Sequence, residues 1–287
     1  RCAEGETGAR TVDQTLGRLP FVRLLRHHPQ VPAEALDPLA ALDPDQRLPI
    51  TFVHELLTGA IHLTGDPDIG LKAAREIGPG DHGAIEYVAR SAATWKDASD
   101  AVARYMRLVN DALRYSVQVE GEHAYLRLDS VVPLPRTSAD FQSAAFHIAT
   151  QHFWKGALPA FEVWFMHSRP DDIIEYERTF APGRLRFEAP FNGFVVPRMY
   201  LEMPVPSADP QLHALIKKHA EAMLAELPRA ASLTERVRDV LARQLADGAI
   251  GLGQVARQVG MSERTLSRHL EDEGTTFKQL LCDVRCA

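Results

Sequence analysis

Near its end the chain carries Val255-Ala256-Arg257-Gln258-Val259-Gly260-Met261-Ser262-Glu263-Arg264-Thr265-Leu266-Ser267-Arg268-His269-Leu270, and no other stretch constrains the fold so tightly. Val255, Ala256 and Val259 fall on one face at helical offsets, and the small Ala256 lets a second helix approach closely. Gly260 is a residue that takes the left-handed conformation of a helix C-cap without steric cost, and Ser262 offers the oxygen that caps the next helix. Met261 is expected as the buried turn residue between them. Leu266 and Leu270 sit four apart and must face inward, which turns Arg264, Ser267, Arg268 and Glu271 outward. The pattern predicts two short helices joined by a tight turn, a helix-turn-helix whose outward face suits a DNA groove.

The segment Met261-Ser262-x-x-x-Leu266-x-Arg268-x-Leu270-x-x-x-Gly274-x-x-Phe277 resembles the first helix-turn-helix of the AraC/XylS family of bacterial transcription regulators. Phe277-Lys278-Gln279-Leu280-Leu281-x-Asp283-Val284-Arg285 is similar to the long helix that connects the family's two DNA-binding units. The resemblance implies that Ser262, Arg264, Thr265, Ser267, Arg268 and His269 contact double-stranded promoter DNA. In the family a second helix-turn-helix follows the connector, and each unit places a recognition helix in the major groove. Residues 229–287 are therefore expected to form an incomplete DNA-binding domain that holds its operator weakly as a monomer. Three-helix domains that bind protein also use such segments, so a ligand-binding or scaffolding protein with a tail unable to bind DNA is the alternative reading.

Charge supports this division only partly. Residues 229–287 hold nine Lys and Arg against eight Asp and Glu, net +1, while residues 1–228 hold 23 against 30, net −7. The acidity thus belongs to the part of the chain outside the motif. A net +1 is small for a module whose affinity comes largely from phosphate neutralisation.

Upstream, the hydrophobic period changes along the chain. Helices are predicted from Pro20 through Leu25, across Ile50–Ile61, at Ala84–Ala89 and from Ala98 to Leu113, with breaker clusters at Leu42-Asp43-Pro44, Gly65-Asp66-Pro67 and Gly78-Pro79-Gly80-Asp81. Ser116–Leu128 alternates about Gly121 and reads as a β-hairpin. A helix is predicted from Phe141 to Trp154, a strand at Phe161–Met166, a short helix from Pro170 to Phe180, and strands at Arg184–Phe187 and Gly193–Val196. Helices first and then mixed strands and helices predict an α+β domain with a mostly antiparallel sheet, followed by an all-α helix-turn-helix domain. At 287 residues about two domains are expected: a leader at 1–18, a sensing domain at 19–206, a linker at 207–228 and the tail domain.

Residues 19–206 also resemble the arabinose-binding-like domain of AraC regulators. The similarity is carried by Leu63-Thr64-Gly65-Asp66-Pro67-x-x-Gly70-Leu71, Gly83-x-x-x-Tyr87-x-x-Arg90-Ser91-Ala92 and Phe187-x-Ala189-Pro190-Phe191-Asn192. It implies a domain that senses a small-molecule effector, not that the effector is arabinose. Between the domains Leu212, Leu215, Ile216, His219, Met223, Leu224 and Leu227 form one stripe of a helix after Pro210. That stripe serves either a homodimer contact through residues 210–227 or packing back onto the sensing domain.

The chain carries no recognisable catalytic motif, so the reading is not of an enzyme, and no cofactor or metal is expected. Cys282 and Cys286 lie one turn apart, but nothing nearby completes a metal site, and the best histidine pairs, His27-His28 and His147 with His152, lack ligand spacing. No apolar run reaches the roughly 18 residues of a membrane span, which predicts a cytoplasmic protein. The ligand site is sought in the aromatic density at Phe141, Phe146, Phe153, Trp154, Phe161, Trp164 and Phe165. An apolar or amphipathic effector is expected there, with Arg90, Arg127, His147 and Trp164 as candidate contacts. The whole reads as a one-component regulator that alters promoter occupancy or RNA polymerase recruitment.

Overall fold

The capping box Thr94-x-x-Asp97 fixes where the central helix of the first unit begins: the Thr94 hydroxyl accepts the Asp97 N–H at 3.1 Å, and the Asp97 carboxylate accepts the Thr94 N–H at 3.2 Å. The computed structural model describes residues 20–26, 28, 31, 50–110, 112–130, 133–152, 160–227, 233–244, 251–259, 261 and 263–286. The leader expected at 1–18, and Phe153, Trp154, Gly260 and Ser262, lie outside them.

Two compact units divide the chain, residues 1–129 with 134–224, and residues 130–133 with 225–287. The first has the order α1 (Pro20–Arg26), α2 (Ile50–Thr64), α3 (Ile69–Ala74), α4 (Ala84–Ser91), α5 (Trp95–Val109), β1 (Leu113–Glu120), β2 (His123–Ser130), α6 (Arg136–Gln151), β3 (Glu162–Trp164), α7 (Ile174–Phe180), β4 (Arg184–Arg186), β5 (Asn192–Pro197), a 3-10 turn (Arg198–Glu202) and α8 (Pro210–Glu226). The five strands run β1-β2-β5-β3-β4, so the sheet is α+β in character and not built from βαβ repeats. β2 and β3 pair antiparallel with β5, whereas β3 and β4 pair parallel through α7. The expected fold class is thus the observed one.

Several boundaries differ from the sequence reading, among them the start of α6 at Arg136 and not Phe141, and both ends of α5. α5 begins at Trp95 and ends at Val109, not Leu113, because the Asn110 side chain accepts the Ala112 N–H at 2.8 Å and turns the backbone out of the helix. Leu113 and Tyr115 then alternate with exposed Arg114 as the start of β1. The six-residue α3 has no counterpart in the prediction, since the period of six residues is too short to read.

Alternation sorts the sheet's side chains onto two faces. Ala124, Leu126 and Leu128 of β2, Val163 of β3 and Phe194 of β5 join the main core with Phe141, Ala144 and Ala145 of α6. The opposite face holds a smaller cluster of Trp164, Phe191, Val195 and Ala189 with Tyr125 packed against it. Gly193 sits where these layers pinch: its φ is +151°, and a Cβ would stand 2.0 Å from the Leu126 carbonyl oxygen of β2.

α8 resolves the two readings of the linker stripe into two faces. Ala220 is buried and Ile216 and Leu224 are half-buried against Ile85 and Val88 of α4 and Ala101 and Tyr105 of α5. Leu212, Leu215 and Met223 are exposed. Helical geometry separates 216/220/224 from 212/215/219/223 by part of a turn, so one face packs back and the other is left to solvent. The packed face is locked by Glu221, which accepts the Tyr105 hydroxyl at 2.6 Å and an Arg104 N–H at 2.6 Å. These two donors, Arg104 foremost, hold the Glu221 carboxyl down at about 2.

The second unit comprises α9 (Leu233–Gln244), α10 (Leu252–Gln258), α11 (Glu263–Asp272) and α12 (Phe277–Cys286). Leu233, Val237, Leu241, Val255, Ala256, Val259, Leu266, Leu270 and Leu280 form its core. No helix among the described residues is long and apolar enough to cross a membrane.

Candidate functional site

In the second unit, the apolar positions that the sequence assigns to the interior are there: Val255, Leu266 and Leu270 are fully buried, and Ala256 and Val259 nearly so. Met261 is half-buried against this core, and its N–H bonds to the Ala256 carbonyl at 2.8 Å, the six-to-one bond that closes a helix C-terminus. The same bond recurs at the end of α11, from Thr275 N–H to the Leu270 carbonyl at 2.9 Å around Gly274, whose φ is +78°. Thr276 then caps α12 by accepting the Gln279 N–H at 3.3 Å.

With Leu266 and Leu270 inward, α11 presents Glu263, Arg264, Arg268 and Glu271 to solvent. Arg264 and Arg268 are four residues apart and therefore neighbours on one helix face, with Ser267 half-buried between them. Thr265 and His269 are half-buried on the flank. Glu273, absent from the sequence reading, secures this helix: its carboxylate accepts the Leu233 N–H at 3.0 Å and the Thr234 N–H at 2.9 Å, capping α9 from the far end of α11. Burial works against its charge, but those main-chain donors outweigh it and hold the carboxyl below its usual range. A partner forty residues away leaves no local signal.

In the first unit, a cavity of about 140 Å³ opens between α4, α5, α6 and the sheet, its walls including Ala89, Val102, Met106, Leu126 and Phe146. A neighbouring compartment of about 100 Å³ shares Trp95, Ser99, Leu126, Phe146 and Thr150 with it and is lined further by His147, Phe161 and Phe194. Of the sequence candidates, only His147 lines this space. Arg127 lies one residue out of phase with Leu126 and Leu128, so the strand's period of two puts it on the other face of the sheet, 5.0 Å from the Phe191 ring centre. Trp164 is on that same face, edge-on to Tyr125 and donating its indole N–H to Glu162 at 2.7 Å. Arg90 is half-exposed at the end of α4, 5.9 Å from the Tyr87 ring centre. Phe146 and Phe161 do line the space, whereas Phe141 and Phe165 belong to the core behind it.

His147 stands among the rings of Phe161, Phe180 and Phe194, and Gln151 donates to its Nε2 at 2.9 Å. Burial pushes the imidazole down to about 4 from its ordinary 6.5. The stability supported by the neutral ring is complete above pH 6.5 and is lost as pH falls toward 4, on the order of 3 kcal/mol in all. His147→Phe is expected to lose less stability than the parent between pH 7 and pH 4.5 by urea denaturation. Equal losses in the two proteins would show that the ring is not desolvated as placed.

The missed wall residue is Glu86, an acid with only 2% of its side chain exposed. Both its oxygens lie 2.9 Å from the Gly80 N–H, and His82 Nδ1 is 3.8 Å away. A charged residue inside an amphipathic helix reads as solvent-facing, which is why the pattern hid it. A second buried acid, Asp140 of α6, accepts the Tyr176 hydroxyl at 2.6 Å and faces His167 Nε2 at 2.9 Å, tying α6 to α7 and the loop after β3. Among the described residues no cluster of three metal-ligating side chains is present.

Comparison with known proteins places residues 32–205 in a family described as the arabinose-binding domain of AraC transcription regulator, N-terminal. The chain is 29% identical over 245 residues to the ornithine utilization regulator of Pseudomonas aeruginosa, covering 84% of this chain and 72% of that protein. It is 28% identical over 235 residues to the HTH-type transcriptional regulator VirS of Mycobacterium tuberculosis, covering 80% and 68%. Among solved structures, the transcriptional regulator CdpR from Pseudomonas aeruginosa aligns with a TM-score of 0.47 at 21% identity, over 99% of this chain and 85% of that one.

Proposed function

Because the chain belongs to the AraC family of transcription regulators that carry the arabinose-binding N-terminal domain, we propose that it is a one-component regulator in which the apolar cavity receives a small-molecule effector and α11 grips promoter DNA. The observation that carries the DNA part is the pairing of Arg264 and Arg268 on the solvent face of a helix whose other face, at Leu266 and Leu270, is wholly buried. Ser262, Thr265, Ser267 and His269 complete the set of contacts in this reading. Residues 19–206 with α8 act as the sensor and residues 229–287 as the DNA-binding part. The exposed face of α8 at Leu212, Leu215 and Met223 serves a second copy of the chain.

The sensing part has a physical route to α8. α5 presents Ala98, Ser99, Val102 and Met106 to the cavity and Ala101, Arg104 and Tyr105 to α8. An effector that favours one position of α5 therefore biases α8, which precedes the tail in the chain. Such coupling needs only different affinity for two states. Its output is altered promoter occupancy or contact with RNA polymerase.

Titration of promoter DNA at fixed salt tests the DNA part. Arg264→Ala and Arg268→Ala are each expected to weaken binding about tenfold or more, and one that contacts phosphate will flatten the salt slope by about one. Unchanged affinity in both variants would remove α11 as the recognition helix.

A further inference from the structure

The wall of the larger compartment is apolar except at Glu86, His82, Ser99, Gln142 and Thr150, and Glu86 is its one acid among the described residues. Glu86 is buried on the wall, where one main-chain N–H serves both its oxygens and the nearest imidazole nitrogen, at 3.8 Å, is too far to donate well. A carboxylate accepts at about four positions, so this one has unused acceptor capacity inside an apolar space. Among the described residues no Lys or Arg lines either compartment. His147, in the second, is held in its uncharged form by burial.

An anionic ligand entering here would lose its hydration without meeting a Lys or Arg, and would lie near the negative charge of Glu86. A donor meets the opposite situation. Taken together, the two compartments of about 140 and 100 Å³ with common walls exceed the roughly 150 Å³ that admits benzene, so a ring with a short chain or about eight carbons fits.

Resting on the reading of this cavity as the effector site, we infer that its ligand is an apolar molecule whose polar end donates a hydrogen bond and bears no negative charge, an alcohol or a protonated amine, received at Glu86. The ligand class is set by the head group, and the walls set only size.

Octan-1-ol, octylamine and octanoate, compared by thermal shift on the whole chain, test it. The alcohol and the amine are expected to raise the melting temperature by about 5 °C at a hundredfold excess over Kd, and octanoate to leave it unchanged. Glu86→Gln is expected to weaken octylamine about tenfold or more and octanol less than about threefold; should that variant not fold, the amine–acid contrast in the parent chain decides. Octanoate stabilising as well as octanol would overturn the head-group assignment and leave the cavity as a binding site. If none of the three stabilises the chain, or if Ala145→Phe, which fills the wall, leaves the shifts intact, the reading of the cavity itself falls.

Discussion

Leu270→Ala is expected to unfold the C-terminal unit while the N-terminal unit keeps its own transition. Leu270 is fully buried and belongs, with residues of α9, α10 and α12, to the apolar cluster of this unit. Truncating a buried leucine costs about 2–5 kcal/mol, set by how far the site collapses. A unit of this size buries a smaller share of its surface than a large domain and has only a few kcal/mol in hand, so the loss is comparable with its whole stability. Limited proteolysis and amide exchange should show residues 233–286 unprotected, and DNA binding lost with them. Arg268→Ala is the companion variant, since it should lose DNA affinity with protection intact. Wild-type protection in Leu270→Ala would show that the helix-turn-helix core is not packed as described.

Gly193→Ala is the second large effect, here in the sensing unit. Its φ of +151° is a conformation that side chains rarely adopt, and the added carbon would stand 2.0 Å from the Leu126 carbonyl oxygen. β2 supplies Leu126 to the cavity wall, so the clash cannot be relieved without moving the paired strands. Backbone strain and forced repacking together are expected to cost about 4 kcal/mol. Gly121→Ala is the control: it also has positive φ, +58°, but a Cβ there meets nothing within 4 Å. It should cost about 1 kcal/mol by denaturant unfolding. Equal costs at the two sites would mean that β2 and β5 do not approach as placed.

Much of this was legible because it was local. The interior of the helix-turn-helix follows from the spacing of Val255, Val259, Leu266 and Leu270, and the hairpin from alternation about Gly121. The site was less legible. Arg127 and Trp164 have the right chemistry for a ligand pocket, yet strand alternation sends both to the far face of the sheet, and only the pairing partners of β2 and β5 reveal which face is which. Glu86 looked like an ordinary polar position on α4 until Gly80 and the cavity wall enclosed it.

The sequence by itself determined the class of fold and the helix that carries Arg264 and Arg268. Each of these depends on periodicity or capping within a few residues, where the chain's own geometry dictates which side chains share a face. Tertiary structure alone decided which face of α8 is covered, that Glu273 caps α9, and that the cavity is bordered by a buried acid and not by Arg90 or Arg127. Those outcomes depend on residues forty or more positions apart meeting in space, and on burial, which changes what a charged side chain costs and what it will accept.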